Sequence, residues 1–229
     1  MIFRRGYILA LMTLFSGAVL AEQPLTYERI DLAVSSGREV ENDTLVSVMY
    51  AQEEGNNPSR LSDSVNRNVG KAVAQAKKNP RIKVQTLEYN TTPVYRKQTL
   101  SGWRVRQSIR LESLDGAALS ELIGELQSSL AVGSISYTIS PERLKASEDE
   151  LIGEAIKAFS SRAQMVASEM GRKGYRLVQM NINTSGHVPQ PRHMRGVALA
   201  MSEDAAPPVL EAGSRRVQVN INATIELNP

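Results

Sequence analysis

Residues 102–140, GWRVRQSIRLESLDGAALSELIGELQSSLAVGSISYTIS, decide the fold. Trp103, Val105, Gln107, Ile109 and Leu111 alternate with Arg104, Arg106, Ser108, Arg110 and Glu112, the period of a strand with one buried and one wet face. Asp115 then offers a short acceptor side chain for a helix N-cap. Leu119, Leu122, Ile123, Leu126 and Leu130 follow on one side of a helix that Gly133 is expected to close. Alternation returns from Ser134 to Ser140, with Ile135, Tyr137 and Ile139 inward, and Pro141 ends it. One stretch thus spells strand, helix, strand.

The same order precedes it. Tyr27 to Val34 and Thr44 to Glu54 carry strand-forming residues, separated by the turn-prone Ser35-Ser36-Gly37 and Glu41-Asn42-Asp43, so two strands joined by a turn are expected. Asn57-Pro58 is an N-cap and first-turn pair, and Leu61, Val65, Val69, Val73 and Ala76 continue a helix until Asn79-Pro80. Ile82, Val84, Leu87 and Tyr89 give a strand whose alternation slips near Thr86, the mark of a bulge. Downstream, a capping box Ser147…Glu150 opens the longest helix, carried by Leu151, Ala155, Ile156, Phe159, Ala163, Val166, Ala167 and Met170 to Gly171. Tyr175 to Ile182 and the alternating Arg215 to Leu227 read as strands. Between them, residues 184–214, with Pro189, Pro191, Pro207 and Pro208, are too long for an ordinary connection and are expected to form a flexible or functional loop. The pattern predicts an α+β fold of mixed, largely antiparallel sheets with three main helices. Residues 27–95 and 102–229 are possible sub-units of it.

The N-terminus supplies an address. Arg4 and Arg5, the apolar run Tyr7 to Phe15 and the small residues up to Ala21 have the form of a secretory leader cleaved after Ala21, leaving Glu22 first. Ser16 and Gly17 interrupt the apolar run, which disfavours an uncleaved anchor, and no later stretch is apolar and long enough to span a bilayer as a helix. A periplasmic protein is expected. Removing Arg4 and Arg5 lowers the formal charge from +3 to +1, so no nucleic-acid partner is implied. With no cysteine, thiol catalysis, Cys-based zinc sites and iron–sulfur clusters are excluded, and stability rests on packing.

Three segments carry a family resemblance: Tyr89-Asn90-Thr91-Thr92-Pro93-Val94-Tyr95; Gly102-Trp103-Arg104-Val105-Arg106; and the alanine-spaced helix Glu150-Leu151-Ile152…Ala155-Ile156…Ala158-Phe159…Arg162-Ala163…Ala167…Gly171. Together they resemble the SIMPL-domain family, from about Tyr27 to Leu227. The chain departs from the commonest pattern at Val40-Glu41-Asn42-Asp43, where many members have a Pro-Asp turn, and at Trp103, where Tyr is usual. The resemblance implies a mixed α/β sheet protein with no established catalytic residue set. Bacterial members are periplasmic or secreted and are associated with envelope or oxidative-stress defence, some through oligomeric assembly.

No pattern nominates a catalytic, cofactor-binding or metal site. His187 and His193, with Met194 and Met201 nearby, are copper-competent residue types, but their spacing fits no standard site. Arg104, Arg106 and Arg110 could meet an anionic partner, yet Glu112 on the same face favours cross-strand pairing. Asp115 is better explained as a cap, and Glu121 and Glu125 as a solvated helix face, than as acid–base groups. Ser36-Gly37 and Ser185-Gly186-His187 lack the context of a nucleophile elbow. Trp103 and Tyr95 are expected to form a packed corner of the core. The sequence therefore points to a non-enzymatic protein that self-assembles or binds an envelope partner. The C-terminal strand, apolar on one face and nearly uncharged on the other, with Asn220, Asn222 and Thr224, is a candidate for a free edge or face used in assembly, and a small-ligand or metal-binding module using the 184–214 loop is the alternative.

Overall fold

The computed structural model describes residues 28–184 and 211–229. The leader, both histidines, Met194, Met201 and most of the 184–214 segment lie outside them. The elements are β1 (Arg29–Glu41), β2 (Thr44–Gly55), α1 (Pro58–Ala76), β3 (Lys83–Arg96), β4 (Thr99–Ser113), α2 (Gly116–Leu126), β5 (Ala131–Thr138), α3 (Pro141–Glu169), β6 (Gly174–Thr184) and β7 (Ser214–Asn228). The fold is α+β, as expected.

A four-stranded sheet in the order β3-β4-β2-β5 takes β2 to β5, with every neighbour antiparallel. This is the split βαβ arrangement, so the two strand–helix–strand units interleave. Residues 27–95 and 102–229 accordingly share this sheet, β3 lying beside β4. Leu45, Met49 and Ala51 of β2 and Val105, Ile109 and Leu111 of β4 face the helices. They are sealed by Val65, Val69, Ala72 and Ala76 of α1 and Leu119, Leu122, Ile123 and Leu126 of α2. The caps are the expected ones: Asn57 accepts from the Arg60 N–H at 3.2 Å and Asp115 from the Ala118 N–H at 3.0 Å. The β3–β4 register shifts between Thr86 and Tyr89, where the alternation slips. Gly133, however, does not close α2. It sits inside β5 as the extra residue where the β2 register shifts between Val48 and Met49.

A second sheet, β1-β7-β6, buries its inner face under α3. Two expectations change here. Ser35-Ser36-Gly37 is not a turn, because β7 offers β1 thirteen consecutive partners, Gly37 among them opposite Gln218. And β1 pairs with β7, not β2. Helix α3 starts seven residues before the expected Ser147 box, at Ser140, whose side chain accepts from the Arg143 N–H at 3.3 Å while Pro141 takes the first turn. Strand β5 correspondingly stops at Thr138, and Ile139 is buried in the second core. The helix ends as its Gly171 predicts. Gly171 has φ 70°, the Arg172 N–H reaches Ala167 O at 2.9 Å and the Gly171 N–H reaches Ser168 O at 3.0 Å, the paired bonds of a Schellman cap.

The two sheets meet where the β1–β2 and β5–α3 connections run side by side. Asp43 donates its N–H to Thr138 O at 3.0 Å. Its carboxylate accepts from the Ser140 N–H at 2.6 Å, the Ser140 hydroxyl at 2.7 Å and the Thr44 hydroxyl at 3.1 Å. At the other end of β2, a Cβ on Gly102 would lie 2.9 Å from the Gly55 carbonyl oxygen. Gly102→Ala is therefore expected to cost ~1–3 kcal/mol through forced backbone displacement, read as a lower urea midpoint at unchanged slope.

Candidate functional site

The structure treats the candidates from the sequence differently. The arginines of β4 lie on the sheet face turned away from α1 and α2, and each is engaged. Arg104 pairs with Glu54, its register partner on β2. Arg106 lies over the Tyr50 ring, 3.6 Å from its centroid. Arg110 pairs with Glu112 at 3.2 Å, and Glu112 also meets Lys83 at 3.8 Å. Cross-strand contacts to Glu54 and Tyr50, and the pair with Glu112 two residues along the same strand, thus account for the three arginines.

Asp115 is held as the α2 cap and pairs with Arg81 at 2.6 Å. Glu125 accepts from Gln75 Nε2 at 2.5 Å, and Glu121 is exposed. Ser36 lies within β1 opposite Val219. Trp103 and Tyr95 do not form a packed corner of the core. Tyr95 is 61% exposed and Trp103 only half-buried, because the β3–β4 hairpin runs past the buried residues of α1. Among the described residues no group of three or more His, Cys, Asp or Glu could hold a metal ion, and no helix is long and apolar enough to cross a membrane.

Where the two sheets join, a cleft of about 590 Å3 opens, which the sequence did not signal. Arg81, Lys83, Arg110, Glu112, Asp115 and Glu142 are its charged lining residues, and Leu114, Ile139 and Pro141 supply apolar surface. Its residues come from four separate segments, so only the tertiary structure assembles it.

The remaining candidate, the C-terminal strand, is the centre of its sheet and not an edge. Strand β7 is hydrogen-bonded on both sides, to β1 and to β6. Its apolar side, Val217, Val219, Ile221, Ala223, Ile225 and Leu227, is buried against α3. Among the described residues, the free edges of this sheet are β1 and β6. Strand β1 carries Arg29, Asp31, Arg38, Glu39 and Glu41, the charges with which natural sheets guard an edge. Strand β6 carries one, Arg176, engaged by Glu226 at 2.8 Å, and none from Leu177 to Thr184. Its Leu177, Val178 and Ile182 are 47%, 40% and 40% exposed. A register shift between Leu177 and Gln179 sets Leu177, Met180 and Ile182 opposite Ile225, Ala223 and Ile221, hence all on the α3 side. Sequence alternation alone assigns Leu177 and Ile182 to opposite faces, and so misses this apolar strip.

Comparison with known proteins agrees with the residues quoted above. No curated protein matches the chain. A family model described as SIMPL, protein of unknown function (DUF541), matches residues 30–225, which span both sheets and all three helices. The chain belongs to the SIMPL family.

Proposed function

We propose that this protein acts without catalysis, as a periplasmic SIMPL-domain protein that contributes to envelope homeostasis or oxidative-stress tolerance by assembling with itself or with an envelope protein. The observation that carries the reading is the β6 edge, which has no charge beyond Arg176 and exposes Leu177, Val178 and Ile182. Open backbone donors and acceptors beside apolar side chains recruit another strand. The leader-like N-terminus and the family's association with the bacterial envelope support the compartment and the role.

Light scattering coupled to size exclusion, on protein purified from cells expressing the full chain, is expected to give a discrete oligomer beginning at Glu22. A folded monomer at every accessible concentration would overturn the assembly reading. Loss of the protein is expected to lower survival under peroxide or envelope stress, and unchanged survival under both counts against the role.

A second reading rests on the cleft between the sheets, whose size suits a small ligand and whose location at a junction is a common one for such sites. It stands beside the reading that uses the 184–214 segment, most of which lies outside the described residues. An amphiphilic ligand that raises the melting temperature of the wild type but not of Arg110→Ala would favour it.

A further inference from the structure

The β6 edge is suited to one partner in particular, and we infer that it pairs antiparallel with the β6 edge of a second copy of this chain about a two-fold axis at Asn181. The inference rests on the assembly reading above and names its interface.

The argument starts from the sequence Gln179-Met180-Asn181-Ile182-Asn183. Opposite residues of an antiparallel pair project to the same side of the sheet. Gln179, Asn181 and Asn183 lie opposite Thr224, Asn222 and Asn220 of β7, on the outer face, whereas Met180 and Ile182 lie opposite Ala223 and Ile221, on the α3 face. An axis at Asn181 sets Asn181 against itself, Met180 against Ile182 and Gln179 against Asn183. Every pairing then matches in face and in chemistry, with amide opposite amide and apolar opposite apolar. No charge lies in the paired stretch, so like charges never oppose one another. A five-residue palindrome of this kind, uncharged and free of Pro and Gly, has the composition of strands that pair with their own copies.

The other free edges do not match it. Strand β1 is charged, β3 carries Lys83, Glu88, Pro93 and Arg96 with two register shifts, and β5 has only eight residues and holds Gly133. Pairing through β6 makes one six-stranded sheet, β1-β7-β6-β6-β7-β1, with both α3 helices on the same face. Arg38 of β1 pairs with Glu150 and Glu154 at 2.5 Å each, which marks the β1 flank of α3. Ile156, 39% exposed, lies on the opposite flank by the 100° turn per residue, toward β6. The short ladder alone falls below the roughly 1,000 Å2 of a specific interface. Ile156 and Leu177 from each copy, both exposed, add apolar surface beside it along the seam.

The test is a charge exchange at Asn181, an exposed position whose replacement leaves both cores intact. Asn181→Lys and Asn181→Glu, each alone, are expected to raise the concentration of half-dissociation at least about tenfold, because like charges then stand opposite one another. Circular dichroism should match the wild type. Mixing the two variants should restore the oligomer to near wild-type strength. Assembly unchanged in both variants overturns the inference while leaving self-assembly standing. Dissociation in both without recovery on mixing overturns the pairing of β6 with itself. A wild-type protein that is monomeric throughout overturns the inference and the assembly reading together. Should the Lys variant misfold, Ile182→Ser gives a second test by removing the Met180–Ile182 contact, and unchanged assembly in that variant has the same adverse meaning.

Discussion

Phe159→Ala is expected to lower the stability of the protein by ~3–5 kcal/mol, the usual range for deleting a buried aromatic ring. Phe159 is 2% exposed in the middle of the α3 stripe and meets the Tyr175 ring edge-on at 6.3 Å between centroids. Its helical neighbours on that stripe, Ala155, Ala163 and Ala167, are fully buried and too small to swing into the void. Phe159 therefore fills a space that its own stripe cannot refill. The measurement is the urea midpoint followed by far-ultraviolet circular dichroism, with Trp103 fluorescence reporting separately on the four-stranded sheet. A midpoint within about 1 kcal/mol of wild type would show that Phe159 is not central to the α3 core.

Asp43→Ala is expected to cost about 3 kcal/mol, since hydrogen bonds to a charged acceptor contribute roughly 1.5–3 kcal/mol each and do not simply add. The carboxylate accepts from three donors, and its removal also strips the Ser140 N–H, at the head of α3, of its acceptor. Burial pushes the Asp43 carboxyl up. The hydrogen bonds from the Ser140 side chain and backbone and from Thr44 outweigh it, so its pKa lies below the usual value of 3.8. Because the folded pKa is depressed, the contribution is fully present above the unfolded value and is lost as pH falls through the folded one. The wild type should thus lose more stability than Asp43→Ala on acidification below about pH 4. Parallel loss in the two proteins would mean that Asp43 does not hold the junction through its charge.

The sequence by itself determined the local elements and the family. Alternation on β4 placed Val105, Ile109 and Leu111 in the core because side-chain direction has a period of two whatever the strand's neighbours. Asn57, Asp115 and Gly171 marked helix ends because capping is settled within a few residues of chain. The register slip at Thr86 was legible for the same reason. The start of α3 was local too, but Pro141 serves equally as strand end and first helical residue, and only the Ser140 cap geometry separates the two.

Tertiary structure alone decided who pairs with whom. Ser35-Ser36-Gly37 has turn composition, yet a long-range partner in β7 keeps it extended, since ladder hydrogen bonds outweigh a weak local preference. The same pairing put β7, the candidate interface, at the sheet centre and left β6 at an edge. Strand order depends on contacts between residues far apart in the chain, and periodicity carries no record of them. For that reason the cleft between the sheets and the apolar strip on β6 were not visible in the sequence, although every residue that forms them was.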